Sequence, residues 1–221
     1  MNRRRSGGLV IAVMLVFAVA TCSALSRTSR PAFVGSVNDM EMPCTLRVAL
    51  YPMGSEEPLT SGPYTVEEVE LINYVADVLA HEFGDFTVGG VTYEFSAEAL
   101  KAGAVAVLMY GWYYSRHPTK PDYDLDNSTK AQVYIRGKAR QKHVDAVKAV
   151  WGTVMVRADT EEIFPPQHGQ GRYNGGGKSS DWMSQRGSIY LADQGYTWTE
   201  ILRYYYPNSR LLQHPKPCAG L

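Results

Sequence analysis

The stretch "AEALKAGAVAVLMYGWYYSR", residues 97–116, constrains the fold more than any other part of the chain. From Ala102 to Tyr114 it is apolar nearly all round, so as a helix it has no wet face. Such a helix belongs in the centre of a core, with other elements packed on every side. Its alanines and glycines let a neighbour approach closely, and Ser96 stands where an N-cap belongs. A chain of 221 residues with 45% hydrophobic content is long enough to bury it, as one domain with additions.

The surrounding segments alternate between two periodicities. "TLRVALYP" reads as a strand. In "YTVEEVELINYVADVLAHEFG", Val69, Ile72, Val75, Ala76 and Leu79 recur at helical spacing. Thr65 and Glu68 fit a capping box there, and Gly84 fits a stop. "DFTVGGVTYEFS" predicts a hairpin turning at Gly89-Gly90. "AQVYIRG" reads as a strand, "KHVDAVKAV" as a short helix and "GTVMVRAD" as another strand. "DWMSQRGSIYLADQGYTWTEILRYYYP" reads as two helical pieces broken at Gly195, the second capped by Thr197 and ended by Pro207. "LLQHPKPC" follows as a loose tail. Mixed helices and short strands make this an α+β fold.

The first residues combine a basic start, an apolar run from Leu9 to Ala20 and small residues suited to cleavage after Ala20 or Ala24. That predicts an export signal over residues 1–24, a linker over 25–44 and a domain over 45–221. An uncleaved membrane anchor is the weaker reading. Lipid attachment at Cys22 is weaker still, because Thr21 fits poorly before it. The 22 basic and 22 acidic residues balance, but Arg3, Arg4 and Arg5 would leave with the signal, for a net charge of −3. A slightly acidic exported chain is a poor nucleic-acid binder. Cys44 and Cys218 then remain, either as two thiols or as one disulfide closing a very long loop.

Four sequence features invite a chemical reading. The glycine run ending in Gly177-Lys178-Ser179 imitates a phosphate loop, but Arg172 stands where its first glycine belongs and no buried strand precedes it. A nucleotide site is rejected. Glu82 lies three residues beyond Leu79, which puts a carboxyl on the apolar face of the first helix at its C-terminal end. His168 in "PPQHGQG" is a lone loop histidine. Tyr173, Trp182, Tyr190, Trp198 and Tyr204–Tyr206 are flat rings suited to core packing or to stacking on sugars.

"LINYVADVLAHEF", "EALKAGAVAVLMY", "YDLDNSTKAQVY", "MSQRG" and "YTWTEILRYYYP" occur in the order and approximate spacing of motifs in the stage II sporulation protein D family and its amidase-enhancer relatives. Over residues 46–212 the chain resembles that family. The resemblance implies a domain with a glycan-binding cleft that acts on peptidoglycan outside the cytoplasm, as a lytic transglycosylase in the sporulation branch. In that reaction one acid protonates the glycosidic oxygen and then, as a base, assists attack by the sugar's own 6-hydroxyl. The matching catalytic residue is Glu82. Lys101, Gln132, Tyr134, His168, Trp182, Ser184 and Gln185 are the candidate substrate-binding residues.

The departures are as specific as the matches. The family arginine is Leu108 here, and the glycine-histidine element before Met-Ser-Gln is Ser179-Ser180-Asp181-Trp182. The metal segment Cys-Asp-x-x-His-Cys-Gln-x-Tyr corresponds to residues 126–134, where Asp126, Lys130 and Ala131 replace the zinc-type ligands. The expectation is therefore cleavage of glycan strands by Glu82, without metal or other cofactor. The alternative is a non-catalytic peptidoglycan-binding module that activates or recruits a cell-wall amidase.

Overall fold

The computed structural model describes residues 41–173, 181–214 and 218, all within a compact unit spanning Gly35–Leu221. The export signal, residues 25–40 of the linker and the Gly177-Lys178-Ser179 run lie outside the described residues.

A three-stranded sheet begins the fold. β1 (Thr45–Leu50) pairs antiparallel with β2 (Thr65–Glu70) along its whole length, from Thr45↔Glu70 to Leu50↔Thr65. The segment 65–70 is thus a strand, not the first turn of a helix. Thr65, Val66 and Val69 are β-branched, and the intervening glutamates suit an edge strand. α1 (Leu71–Glu82) starts without a side-chain cap. Its first N–H instead donates to the Cys44 carbonyl at 2.8 Å, so tertiary pairing does the work a capping box was expected to do.

The Gly89-Gly90 turn joins β3 (Phe86–Val88) to β4 (Val91–Tyr93). Both glycines have positive φ, 60° and 80°, as a two-residue turn in a tight hairpin requires. Ser96 accepts from the Ala99 N–H and opens α2 (Ala97–Arg116). This is the central helix. Every residue from Ala102 to Trp112 is buried, with α1 on one side and later helices on the others. Close approach is built in at Gly103, where an added Cβ would stand 2.8 Å from the ring of Phe83.

β5 (Leu125–Asp126) adds to β1 in parallel. Asp124, 5% exposed, locks the junction by accepting from the Arg47 backbone N–H at 2.9 Å and pairing with its guanidinium at 2.6 Å. The stretch "AQVYIRG" forms no strand. Two of its backbone donors go to side chains of α1, the Val133 N–H to Glu82 and the Gly137 N–H to an Asp77 oxygen at 2.9 Å. The Tyr134 N–H turns back to the Asn127 carbonyl, and just beyond the stretch the Ala139 N–H bonds the other Asp77 oxygen at 2.9 Å. Carboxylates took the place of the neighbouring strand that its alternating pattern implied.

α3 (Gln141–Val150) packs on α2 and leads into β6 (Thr153–Arg157). β7 (Gln167–Gly169) pairs in parallel with β8 (Trp182–Ser184), so Trp182 and Met183 are strand rather than helix. α4 (Gln185–Asp193) follows with Ser184 as its N-cap. α5 (Trp198–Tyr205) carries a capping box between Thr197 and Glu200. The expected loose tail begins with β9 (Ser209–Gln213), antiparallel to β6. Beyond it, Cys218 is disulfide-bonded to Cys44 with Cα atoms 5.4 Å apart. No described helix is long and apolar enough to cross a membrane.

Candidate functional site

Glu82 ends α1 because the helix stops where Phe83 turns inward, fully buried against α2. That leaves the Glu82 carboxyl on the wall of a cavity of about 890 Å³. Val133, His168, Gln185, Tyr110 and His143 share that wall. The carboxyl is held from two directions. The Val133 N–H donates to Oε1 at 2.9 Å, and Gln185 Nε2 donates to Oε2 at 2.8 Å. Segments 51 and 103 residues away in sequence therefore fix its orientation.

Gln185 is the first residue of α4, and Ser184 sets its place. The Ser184 Oγ accepts from the Gly187 N–H at 2.9 Å and donates to the Arg172 carbonyl at 3.1 Å. Gly171 passes so close that a Cβ would lie 2.1 Å from this Oγ, and its φ is +58°. Only glycine meets both demands.

His168, on β7, packs its ring against Phe83 and Tyr110 with centroids 5.5 and 6.4 Å apart. Its Nδ1 is buried. Burial holds the imidazole below its usual pKa, against opposing effects of Glu82 and the Pro166 carbonyl. His143, 3% exposed, is also held down, by burial first and by the Lys142 and Arg140 charges next. Its Nδ1 accepts from the Arg140 N–H at 2.9 Å, so the neutral ring carries its proton on Nε2, which has no partner among the described residues. Burial raises the Tyr110 phenol, with Tyr114 adding to the effect, so the group keeps its proton.

Several of the other charged groups on the wall have partners, and Glu56, Lys138 and Arg140 line it as well. Lys142 pairs with Asp85 at 2.6 Å and His81 approaches Glu57 at 3.6 Å. Arg186 lies over the Phe86 ring at 4.5 Å. An oriented carboxyl beside imidazoles kept neutral suits proton transfer to or from a hydroxyl-rich ligand.

Of the residues expected from sequence, Glu82, His168 and Gln185 meet on this wall. Lys101 does not line it. Its ammonium pairs with Glu98 at 2.7 Å, and the other Glu98 oxygen accepts from the Trp198 N–H, which ties α2 to α5. Gln132 and Tyr134 are buried beneath the cavity, bonded to and stacked on Tyr74 respectively. Trp182 packs over Gly169 and Gly171, and Ser184 acts as a cap. Sequence reasoning missed Val133, whose backbone N–H carries no side-chain signature, and His143, which sits in an otherwise ordinary short helix.

The segment corresponding to the family's metal site does not fit zinc. The Asp126 Oδ1 accepts from both the N–H and the Oγ of Ser128, Lys130 donates its ammonium to the Thr60 carbonyl, and Ala131 has no donor atom. Among the described residues no group of three or more His, Cys, Asp or Glu side chains is arranged to hold a metal.

Comparison with known proteins agrees with the motifs. An uncharacterized protein of Brachyspira hyodysenteriae is 36% identical over 78 residues, which is 35% of this chain and 19% of that protein. The match thus spans about a fifth of that relative's length. Residues 60–156, which include α1, α2, Glu82 and the Asp77-anchored loop, match the family model described as Stage II sporulation protein (SpoIID). That stretch of the chain is similar to the stage II sporulation protein family.

Proposed function

We propose that this chain is exported and cleaves the glycan strands of peptidoglycan in the manner of a lytic transglycosylase, with Glu82 as the proton donor. The observation that carries this reading is the Glu82 carboxyl on the wall of the large polar cavity, fixed by Val133 and Gln185. A general acid needs a fixed direction toward the glycosidic oxygen, and two hydrogen bonds from the protein supply it. Incubation of the purified chain with isolated glycan strands, followed by mass spectrometry, tests this: anhydro-muramyl ends support cleavage, and intact strands refute it.

A second reading is a non-catalytic peptidoglycan-binding module that works with a cell-wall amidase. One observation favours it. Leu108, at the position of the family arginine, is 1% exposed in the core, so no cation stands there to assist a glutamate. Strand binding without new anhydro ends, together with faster hydrolysis by an added amidase, would select this reading.

A further inference from the structure

We propose that His168 is the base of this site: it takes the proton of the attacking 6-hydroxyl while Glu82 serves as the acid. The inference rests on the cleavage reading above and divides between two residues the two proton transfers that one glutamate would otherwise perform in turn.

Three observations lead to it. First, both Glu82 oxygens already accept hydrogen bonds from the protein, which ties the carboxyl to one orientation. A group held in that way serves one side of the sugar better than two. Second, His168 lines the same cavity on a frame shared with Gln185: β7 pairs with β8 in the register His168↔Met183, and β8 runs directly into α4. The imidazole is further braced by Phe83 of the Glu82 turn and by Tyr110 of α2. Third, the ring is half-buried with Nδ1 inside, and the Pro166 carbonyl acts on it as a hydrogen-bond acceptor. The ring proton therefore belongs on Nδ1, and Nε2 is the nitrogen left to accept.

The ionisation fits the assignment. Burial keeps the ring neutral, leaving one lone pair to accept a proton. The charged and titratable groups on the same wall are His81 and Glu82 from α1, Lys142 and His143 from α3, Arg186 from α4, Tyr110 from α2, and Glu56, Glu57, Asp85, Lys138 and Arg140 from the connecting segments. Lys142 and Asp85 neutralise each other, and Glu82 is the charge that acts on His168.

The step balances. The Glu82 carboxylic acid gives its proton to the glycosidic oxygen, and the bond from muramyl C1 to that oxygen breaks with its electron pair on the leaving sugar. The 6-oxygen of the same muramyl unit bonds to C1 and its proton passes to His168. The imidazolium then returns a proton to the Glu82 carboxylate, and both groups are restored without water or a redox partner.

The test compares kcat, KM and the pH–rate profile of the full exported chain with those of His168→Gln and His168→Asn on isolated glycan strands. The expected result is a fall in kcat of about a hundredfold or more with KM nearly unchanged, and loss of the acid limb of the profile. A kcat within a few-fold of wild type with an unchanged limb overturns the base role while leaving Glu82-dependent cleavage standing. Absence of anhydro ends from the wild type would instead sink the cleavage reading itself. If neither variant folds, the wild type decides: its acid limb must fall at the His168 midpoint measured by NMR, and Glu82→Gln must lower that midpoint. A limb elsewhere, or a midpoint indifferent to Glu82, overturns the proposal.

Discussion

Replacing Cys44 and Cys218 together by serine measures how far the bridge holds this fold. The two cysteines are 174 residues apart in sequence, so the bond closes a loop around nearly all of the described unit. The loop-closure relation gives an entropy of about −17 cal/mol/K for a loop of this size, or roughly 5 kcal/mol at 25 °C. Contacts at both cysteines can survive the change. Leu71 donates to the Cys44 carbonyl, and the Trp151 indole donates to the Cys218 carbonyl at 2.9 Å; neither contact involves sulfur. The loss should therefore come mainly from the unfolded chain and lie near the upper end of the usual range of about 2–5 kcal/mol. For a domain of this length that corresponds to a fall of roughly 10–15 °C in Tm. Urea titration of the oxidised wild type, the reduced wild type and the double variant is the assay. The last two should agree. A difference from the oxidised protein below about 1 kcal/mol would refute the reasoning, because it would mean that the unfolded chain gains little freedom when the bond is absent.

Gly103→Ala should destabilise the fold even though alanine favours a helix by about 1 kcal/mol. Its Cβ would stand 2.8 Å from the Phe83 ring, and overpacking of that kind costs about 1–3 kcal/mol; a rise in Tm on thermal melting would contradict the close packing of α1 on α2. Asp85 tests the acid range. Burial pushes its carboxyl up, but the Lys142 ammonium and the Phe95 N–H outweigh this and hold it below the usual range. A lowered folded-state pKa stabilises above the unfolded value, near pH 4, and that contribution disappears as pH falls through the folded value. Asp85→Asn should flatten the loss of stability below about pH 4, measured by urea melts at successive pH values, and an unchanged slope would contradict the assignment.

What the sequence disclosed depended on whether a residue's neighbours were near in the chain. α2 was legible because its apolar surface has no solvent-facing stripe, and the Gly89-Gly90 turn because positive φ demands such residues. Ser96 and Thr197 were legible as caps because their partners lie three residues away. β2 was misread because valines at 66 and 69 satisfy helical spacing as well as a strand, and only pairing with β1 decides between them. The 131–137 segment alternated like a strand, yet Glu82 and Asp77, more than 50 residues earlier, captured the Val133 and Gly137 N–H groups.

The site divides in the same way. Glu82 stood out by its place on a helix face and Gln185 by the motif around it, whereas His168 was a lone histidine in a loop. The hydrogen bonds that orient Glu82 had no local signal. Lys101 matched a motif but, in this chain, closes an ion pair between neighbouring turns of α2 and leaves the cavity wall to Tyr110, Val133 and His143.

Mass spectrometry of isolated glycan strands after incubation with the wild type and with Glu82→Gln bears most directly on the proposed chemistry. The amide is nearly isosteric: its oxygen can still accept from the Val133 N–H, and Gln185 can present its own oxygen to the new NH2 group. The variant should therefore fold and bind strands. It lacks an acidic proton, so the wild type should release anhydro-muramyl ends and the variant should release none above background. Equal release by both proteins would remove Glu82 from the chemistry, and no release by either would leave strand cleavage without support.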